Sequence, residues 1–391
     1  MKRIAIIAFS FPESTLCLTK YLAKNQISVD YYLIVHNQVL EQGSIQGFEF
    51  KSQKKWVLNH LSADDMPEMS AYFKDCPVNI YMQGFNSSRR YMSLHRMTLG
   101  YLYMHIKRMH YDAIDIVGHT PEIVQCHNHL WKENITHTIH EVGSHLQGKT
   151  ENPLFDKIIK HGSKCIFHSN ATQNRFLEIK DSDRCETEVI PFGRFETNAL
   201  FVNDVESPIK IQNSYPTFLF FGKITKYKGL SLLKEAFSLL TIKTSHFNLI
   251  IAGGGNDATL PFFNQQQNCH VLNRFLSTDE MMSLIKQSDV IVLPYLSASQ
   301  TGIISTCTLY NKPVIATKVG AFPEMIKDNE NGLLVEPNNP VEFCNAMYRC
   351  VADSSFIQNL SNGASEYGVN DKFDWNSIAD NTIKFLLSKK N

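Results

Sequence analysis

No stretch of the 391-residue chain approaches the roughly 20 consecutive apolar residues that a membrane-spanning helix needs. Cysteine is present but unorganised. Nine residues, an odd number, are scattered from Cys17 to Cys350 without one Cys-x-x-Cys pair. A disulfide framework and a zinc ribbon are therefore not expected, and a reducing compartment is. Net charge is missing as well: Lys+Arg 38 offset Asp+Glu 38, so a global basic footprint for nucleic acid is absent. Repeats and low-complexity runs are also lacking. With 43% hydrophobic residues the composition is that of a folded chain, long enough for two ordinary domains and a core that needs no staple.

The start, Met1-Lys2-Arg3, could open a signal peptide. The apolar run behind it, Ile4 to Phe9, is too short for that and meets Ser10, Pro12 and Glu13. It reads as a buried first strand, and a cytoplasmic chain is expected. Short apolar runs then alternate with longer amphipathic ones, the pattern of a parallel α/β architecture. Strands are expected at Tyr31–His36, Ile114–Val117, Glu122–Cys126, Ile135–Ile139, Cys165–Phe167 and Glu188–Ile190, with a helix from Ser14 to Asn25. A polar stretch from Val202 to Pro216 has no clear period, and beyond it the alternation restarts. Strands are expected there at Thr217–Gly222, Phe247–Ala252, His270–Leu272 and Val290–Leu293, and helices at Leu230–Leu240 and Thr278–Lys286. The expected fold is α/β, with two Rossmann-like domains facing a cleft. Its domains are 1–205 and 206–371, followed by a C-terminal segment, 372–391.

Three segments of the second half could carry chemistry. The strand end Phe221-Gly222-Lys223 leads through Lys228-Gly229 into a helix, which can bring two ammonium groups to one polyanion. An ordinary basic loop is the competing reading. The strand Val290–Leu293 runs through a small polar loop into Thr301-Gly302-Ile303-Ile304, where backbone N–H groups at a helix start could meet a phosphate. The competing reading is a Ser/Thr cap on a structural helix, ending at Asn311 before Pro313. The third segment, Lys312-Pro313-Val314 through Pro323-Glu324 to Asn331-Gly332, reads as strand, turn, short helix, turn and strand.

Taken together in this order, from Phe218 to Val351, the segments resemble the retaining nucleotide-sugar glycosyltransferases of family 4, which have the GT-B fold. The resemblance implies that Gly222, Lys223 and Lys228 hold a donor diphosphate. It assigns Gly253, Thr301, Gly302, Ile303 and Thr306 to the nucleotide-sugar site, and Asn273 and Arg274, with Phe275, Ser277 and Glu280, to the side of the base. The ending around Trp375, Ile378 and Ala379 is similar to the family's C-terminal helix, which crosses back to the first domain. One departure stands out. Many members carry a Glu-x7-Glu pair around the strand-to-helix turn, and the matching positions here are Ala298 and Thr306. Neither is acidic, which leaves the contact to the ribose hydroxyls in question.

In the first half, His127 and His140 follow expected strands and are candidates, with Lys223 and Lys228, for the catalytic set. A packed or surface histidine is the alternative for each. No metal is expected, because His127, His129, His137, His140 and His145 lack a His-Glu-x-x-His or Cys/His frame. Asp181-Ser182-Asp183 is a literal D-x-D inside a charged run and reads as a solvated loop. From Cys76 to Tyr111 there is no Asp or Glu. On one continuous helix Arg89, Arg96 and Lys107 would share a face within roughly 20°, which suits either anionic headgroups at the inner face of a membrane or simply water.

The resemblance implies a hexosyltransferase-type enzyme that moves a sugar from a nucleotide-diphosphate sugar to a hydroxyl of a glycan or lipid-linked acceptor, in cell-surface polysaccharide synthesis. The expected partners are that donor and that acceptor, without nucleic acid and without a cofactor. The alternatives are a noncatalytic nucleotide-sugar-binding module and a nucleotide-sugar epimerase on the same fold.

Overall fold

The computed structural model describes residues 1–36, 44–45, 48–49, 57–62, 67–85, 92–118, 122–143, 153–200, 206–299, 301–369 and 372–388. The chain divides into two compact units. The first takes residues 1–144, 149–201 and 371–391; the second takes 145–148 and 202–370. The C-terminal helix Trp375–Leu387 thus belongs to the unit in which the chain begins.

The first unit is built on a sheet of parallel strands: β1 (Arg3–Ala8), β2 (Ser28–His36), β3 (Val78–Phe85), β4 (Ala113–Val117), β5 (Ile135–Ile139), β6 (Lys164–Phe167) and β7 (Thr187–Val189). A two-residue antiparallel strand, Asn59–His60, extends the edge beside β3. The spatial order β3-β2-β1-β4-β5-β6-β7 reverses direction between β1 and β4. Successive side chains of β1 enter different cores: Ile4, Ile6 and Ala8 join one, Ala5, Ile7 and Phe9 the other. A sheet covered on both faces demands this, and it explains why its strands read as unbroken apolar runs. The C-terminal helix closes the first of these cores with Trp375, Ile378, Ala379, Phe385 and Leu386. Its Trp375 indole Nε1 donates to the Arg194 carbonyl at 2.7 Å.

The second unit has six parallel strands: β8 (Thr217–Phe221), β9 (Asn248–Ala252), β10 (Cys269–Leu272), β11 (Val290–Leu293), β12 (Val314–Thr317) and β13 (Gly332–Val335). Their order, β10-β9-β8-β11-β12-β13, is the Rossmann order, and it reverses between β8 and β11. Asn311 takes the left-handed conformation that ends the turn before β12.

One expectation needs correcting. Residues Glu122–Leu130 form a helix, not a strand. The β-branched pair Ile123-Val124 suggests extension, but the buried residues are Ile123, Cys126, His127 and Leu130, at helical spacing. In the acid-free segment the described residues include β3 and a helix from Met92 to Arg108. Arg89 and the side chain of Arg96 lie outside the described residues, and Lys107 is exposed.

A buried carboxyl sits inside the first unit. Asp115, in the middle of β4, is inaccessible to solvent. Its Oδ1 accepts from the Thr138 hydroxyl at 2.8 Å, and Oδ2 has no partner among the described residues. Burial pushes its pKa up to about 7. The folded state therefore takes up this proton more readily than the unfolded chain. That contribution is fully present below about pH 4 and is lost as pH rises toward 7. Asp115→Asn keeps the Thr138 bond and removes the titration. The variant is expected to match the parent in thermal unfolding near pH 4 and to exceed it at pH 8, by on the order of 4 kcal/mol. A pH-independent difference would refute this account.

Candidate functional site

The reversal between β8 and β11 leaves a crevice at the carboxyl ends of two neighbouring strands, where ligands of such sheets bind. Here β8 runs out into Gly222. Its N–H donates to the Ala252 carbonyl at 2.9 Å, and its φ of 105° is one that side chains disfavour. A Cβ at this position would lie 2.8 Å from the Lys228 amine. The bare glycine therefore makes room for the ammonium. A short 3-10 turn, Lys226–Lys228, folds Lys228 back over it.

Lys228 is only 8% exposed. Among the described residues it has no carboxylate partner, and its Nζ stands 5.3 Å from the centre of the Tyr295 ring. Burial without compensation lowers its pKa to about 8. Lys223, by contrast, is exposed. The two lysines of the sequence reading thus differ sharply: one is a desolvated cation fixed by packing, the other a solvated one on the adjoining loop.

The neighbouring strand supports this turn. Gly253, at the end of β9, has φ 146°, and a Cβ there would meet the Gly222 carbonyl oxygen at 2.0 Å. Only glycine lets the two strand ends come this close. The Gly254 carbonyl accepts from the Ile224 N–H at 2.9 Å, and the Gly255 N–H donates to Asn273 Oδ1 at 3.2 Å. Asn273 therefore holds the glycine turn. Arg274 is committed elsewhere. Its guanidinium grips Glu280 at 2.9 and 2.6 Å, and this holds the Glu280 carboxyl down to about 2. Glu280 in turn completes a capping box with Ser277 at the head of Thr278–Gln287. Phe275, next to Arg274, is 85% exposed.

The segment after β11 supplies the opposite wall. Tyr295 is buried, and its hydroxyl has no hydrogen-bond partner among the described residues. Thr301 caps the six-residue helix Gly302–Cys307, its Oγ1 accepting from the Ile303 N–H at 3.2 Å. One of the three N–H groups expected to meet a phosphate is therefore satisfied within the chain. Ile303 Cδ1 would lie 3.9 Å from a Cβ at Gly222, so this segment stands beside the Lys228 turn. The hydroxyl of Thr306 donates to the Gly302 carbonyl at 3.0 Å. Ala298 is buried, and its carbonyl packs against Gly320. The structure thus gathers Gly222, Lys228, Gly253 and Ile303 at one point, with Asn273 bracing it. It adds Tyr295, whose sequence signal was only an aromatic two residues past a buried strand. The open groove of about 500 Å³ lined by Lys210, Asn213 and Asn248 lies at the opposite, amino ends of the strands.

In the first unit the two histidines part company. His127 does not follow a strand. It sits on the helix Glu122–Leu130, inaccessible to solvent, with Nδ1 2.9 Å from His137 Nε2 and Nε2 2.7 Å from His161 Nδ1. This is a histidine chain within the core, and burial holds the His137 pKa well below its usual value. His140 does follow β5. Its ring stacks on Phe11 at 3.7 Å and tilts against His168 at 4.7 Å. Phe11 belongs to the loop after β1, so His140 stands near the first unit's own reversal point. No cluster of three potential metal ligands occurs among the described residues.

Against known proteins, residues 215–353 match the family model described as Glycosyl transferases group 1. An uncharacterized glycosyltransferase of Methanocaldococcus jannaschii is 28% identical over 179 residues, 45% of this chain and 45% of the relative. The matched stretch therefore spans less than half of that relative's length. Among solved structures, sucrose-phosphate synthase from Thermosynechococcus elongatus aligns over 98% of each chain, with a TM-score of 0.65 and 16% identity. Anabaena HepE in complex with UDP-glucose aligns over 99% of each chain, with a TM-score of 0.64 and 14% identity. The fold is GT-B. The sequence likeness places the chain among relatives of glycosyltransferases. No described helix is long and apolar enough to cross a membrane.

Proposed function

We propose that the protein is a retaining glycosyltransferase of family 4 type. It would move a hexose from a nucleotide-diphosphate sugar to a hydroxyl of a glycan or lipid-linked acceptor, in cell-surface polysaccharide synthesis. One observation carries the reading: a buried ammonium with no counter-charge among the described residues, Lys228, stands over a side-chain-free strand end at the reversal point of a Rossmann sheet. An uncompensated buried cation is costly, and a diphosphate is the partner that would offset it. The likeness to a structure solved with UDP-glucose supports a nucleotide-sugar donor.

In this reading Lys228 binds the donor diphosphate and neutralises the charge that develops on it as the sugar departs. Lys223, on the exposed rim, draws the anion in and adds to the same charge. Gly222 and Gly253 let the diphosphate approach the backbone. The leaving phosphate accepts the acceptor's proton in a front-side displacement that keeps the anomeric configuration, so the scheme asks for no carboxylate base. His140, at the end of β5, is assigned the part of orienting an acceptor hydroxyl. His127, enclosed by His137 and His161, is left with a structural part. No metal or cofactor enters the scheme.

A second reading rests on Ala298 and Thr306, where an acidic pair would hold the ribose: a module that binds the donor without turning it over. One experiment separates the two. UDP-, GDP- and ADP-sugars are screened by thermal shift, and the stabilising donor is then incubated with a panel of glycan and lipid-linked acceptors. One nucleotide series is expected to raise Tm by several degrees and to yield free nucleoside diphosphate only with acceptor. Stabilisation without turnover on any acceptor selects the binding module. Release of a free sugar without acceptor selects the epimerase. No stabilisation by any donor overturns the donor site itself.

A further inference from the structure

The helix Met92–Arg108 breaks the usual division of labour on a surface helix. Its inward side is apolar, with Leu99, Leu102, Tyr103 and Ile106 all inaccessible in the core of the first unit. Its outward side should then be polar. Instead it shows Met97, Tyr101 and Met104 at 72%, 63% and 50% exposure. Gly100 lies among them, with nothing within 4 Å of where a Cβ would be, so the face is open. At about 100° per residue these four and Arg108 fall within an arc of roughly 100°, opposite the buried residues.

Charge on this element has one sign. Arg108 and Lys107 are exposed at the end of the apolar row and have no ion pair among the described residues. The helix contains no acidic residue, and none occurs between Cys76 and Tyr111. A protein partner would have to cover three large apolar side chains and bring its own carboxylates to their edge. A bilayer with anionic lipid supplies both at once, an acyl boundary for Met97 and Met104 and phosphates for Lys107 and Arg108. Tyr101, with an apolar ring and a polar tip, suits the headgroup level between them.

We infer that the outward face of the helix Met92–Arg108, built from Met97, Tyr101, Met104, Lys107 and Arg108, is a docking surface for an anionic lipid membrane. The inference is independent of the donor site, which lies on the other unit. It rests on an apolar row ending in two cations and asks nothing of Arg89 or Arg96.

The test is co-sedimentation of the full chain with vesicles of phosphatidylcholine, with and without phosphatidylglycerol. The parent is expected to sediment with the anionic vesicles and to be released by salt. Lys107→Gln and Arg108→Gln are each expected to weaken binding about fivefold. The triple variant Met97→Ser, Tyr101→Ser, Met104→Ser is expected to stay in the supernatant. All five positions are exposed, so an unchanged Tm verifies that each variant folds. A parent that ignores anionic vesicles, or a triple variant that binds as well as the parent, overturns the inference. So does a parent that self-associates through this face and becomes monomeric in the triple variant.

Discussion

Lys228→Met is expected to weaken donor binding by about a hundredfold or more while raising the melting temperature of the ligand-free protein. The two effects have one origin. Lys228 is buried beside Gly222 and Tyr295 with no counter-charge among the described residues, so the folded protein carries a cation that the unfolded chain would hydrate. A methionine fills the same space without that cost. With a diphosphate present the balance inverts, because the anion and the cation desolvate each other in direct contact. The sign of the pH dependence follows. With its pKa lowered to about 8, Lys228 costs the native state most below pH 8, and the cost fades as pH rises toward 10.5. The parent should therefore gain stability relative to Lys228→Met between pH 8 and 10.5. Donor affinity should run the other way, level below pH 8 and falling above it, by up to tenfold per pH unit, as the free amine loses its proton. Calorimetric titration across this range, paired with thermal unfolding of both proteins, reads all three slopes. Equal donor affinity in parent and variant would remove Lys228 from the diphosphate site, whatever the unfolding data say.

That lysine was legible in the sequence because three signals coincide: an apolar strand, a glycine and a Lys-Gly before a helix. The difference between Lys228 and Lys223 was not legible. Both are lysines on one turn, and only the backbone path of Lys226–Lys228 decides which of them is desolvated. The second sheet was readable nearly strand by strand, since a parallel sheet buried on both faces leaves continuous apolar runs. The first unit was less so. Its strand β3 carries Asn79, Tyr81 and Gln83 between apolar residues and gives no unbroken run. The helix Glu122–Leu130 hides its period behind an Ile-Val pair. His127 passed for a site residue because a histidine after a presumed strand looks like one that faces a ligand. The helix turns it instead toward His137 and His161, which no local pattern announces. The apolar outward row of Met92–Arg108 was equally hidden, because exposure is a property of packing and not of spacing.

The C-terminal helix supplies the second large effect. The last carbonyls of any helix lack partners within it, and a helix end inside a protein must find donors elsewhere. Lys164 provides them. It opens β6 among apolar neighbours and is 1% exposed. Its ammonium donates to the carbonyls of Phe385 at 3.0 Å, Leu386 at 2.7 Å and Ser388 at 3.0 Å. Three protons meet three acceptors at the negative end of the helix dipole, so this buried charge, unlike Lys228, is compensated by its own chain. The Asn134 side chain adds a bond to Leu386 at 2.9 Å. Lys164→Met keeps the apolar stem and removes every one of the three bonds. The cost is expected to be on the order of 4 kcal/mol, since bonds from a charged donor contribute about 1.5–3 kcal/mol each and part is regained by hydration of the loosened end. The loss should be local before it is global. Backbone amides of Trp375–Leu387 should exchange with solvent far faster in the variant, while those of β8 to β13 keep the parent's protection. Donor-induced stabilisation of the second unit should persist. If exchange in the C-terminal helix stays at parental rates, the helix is held by its Trp375, Ile378 and Phe385 packing alone, and the lysine cap carries no stability.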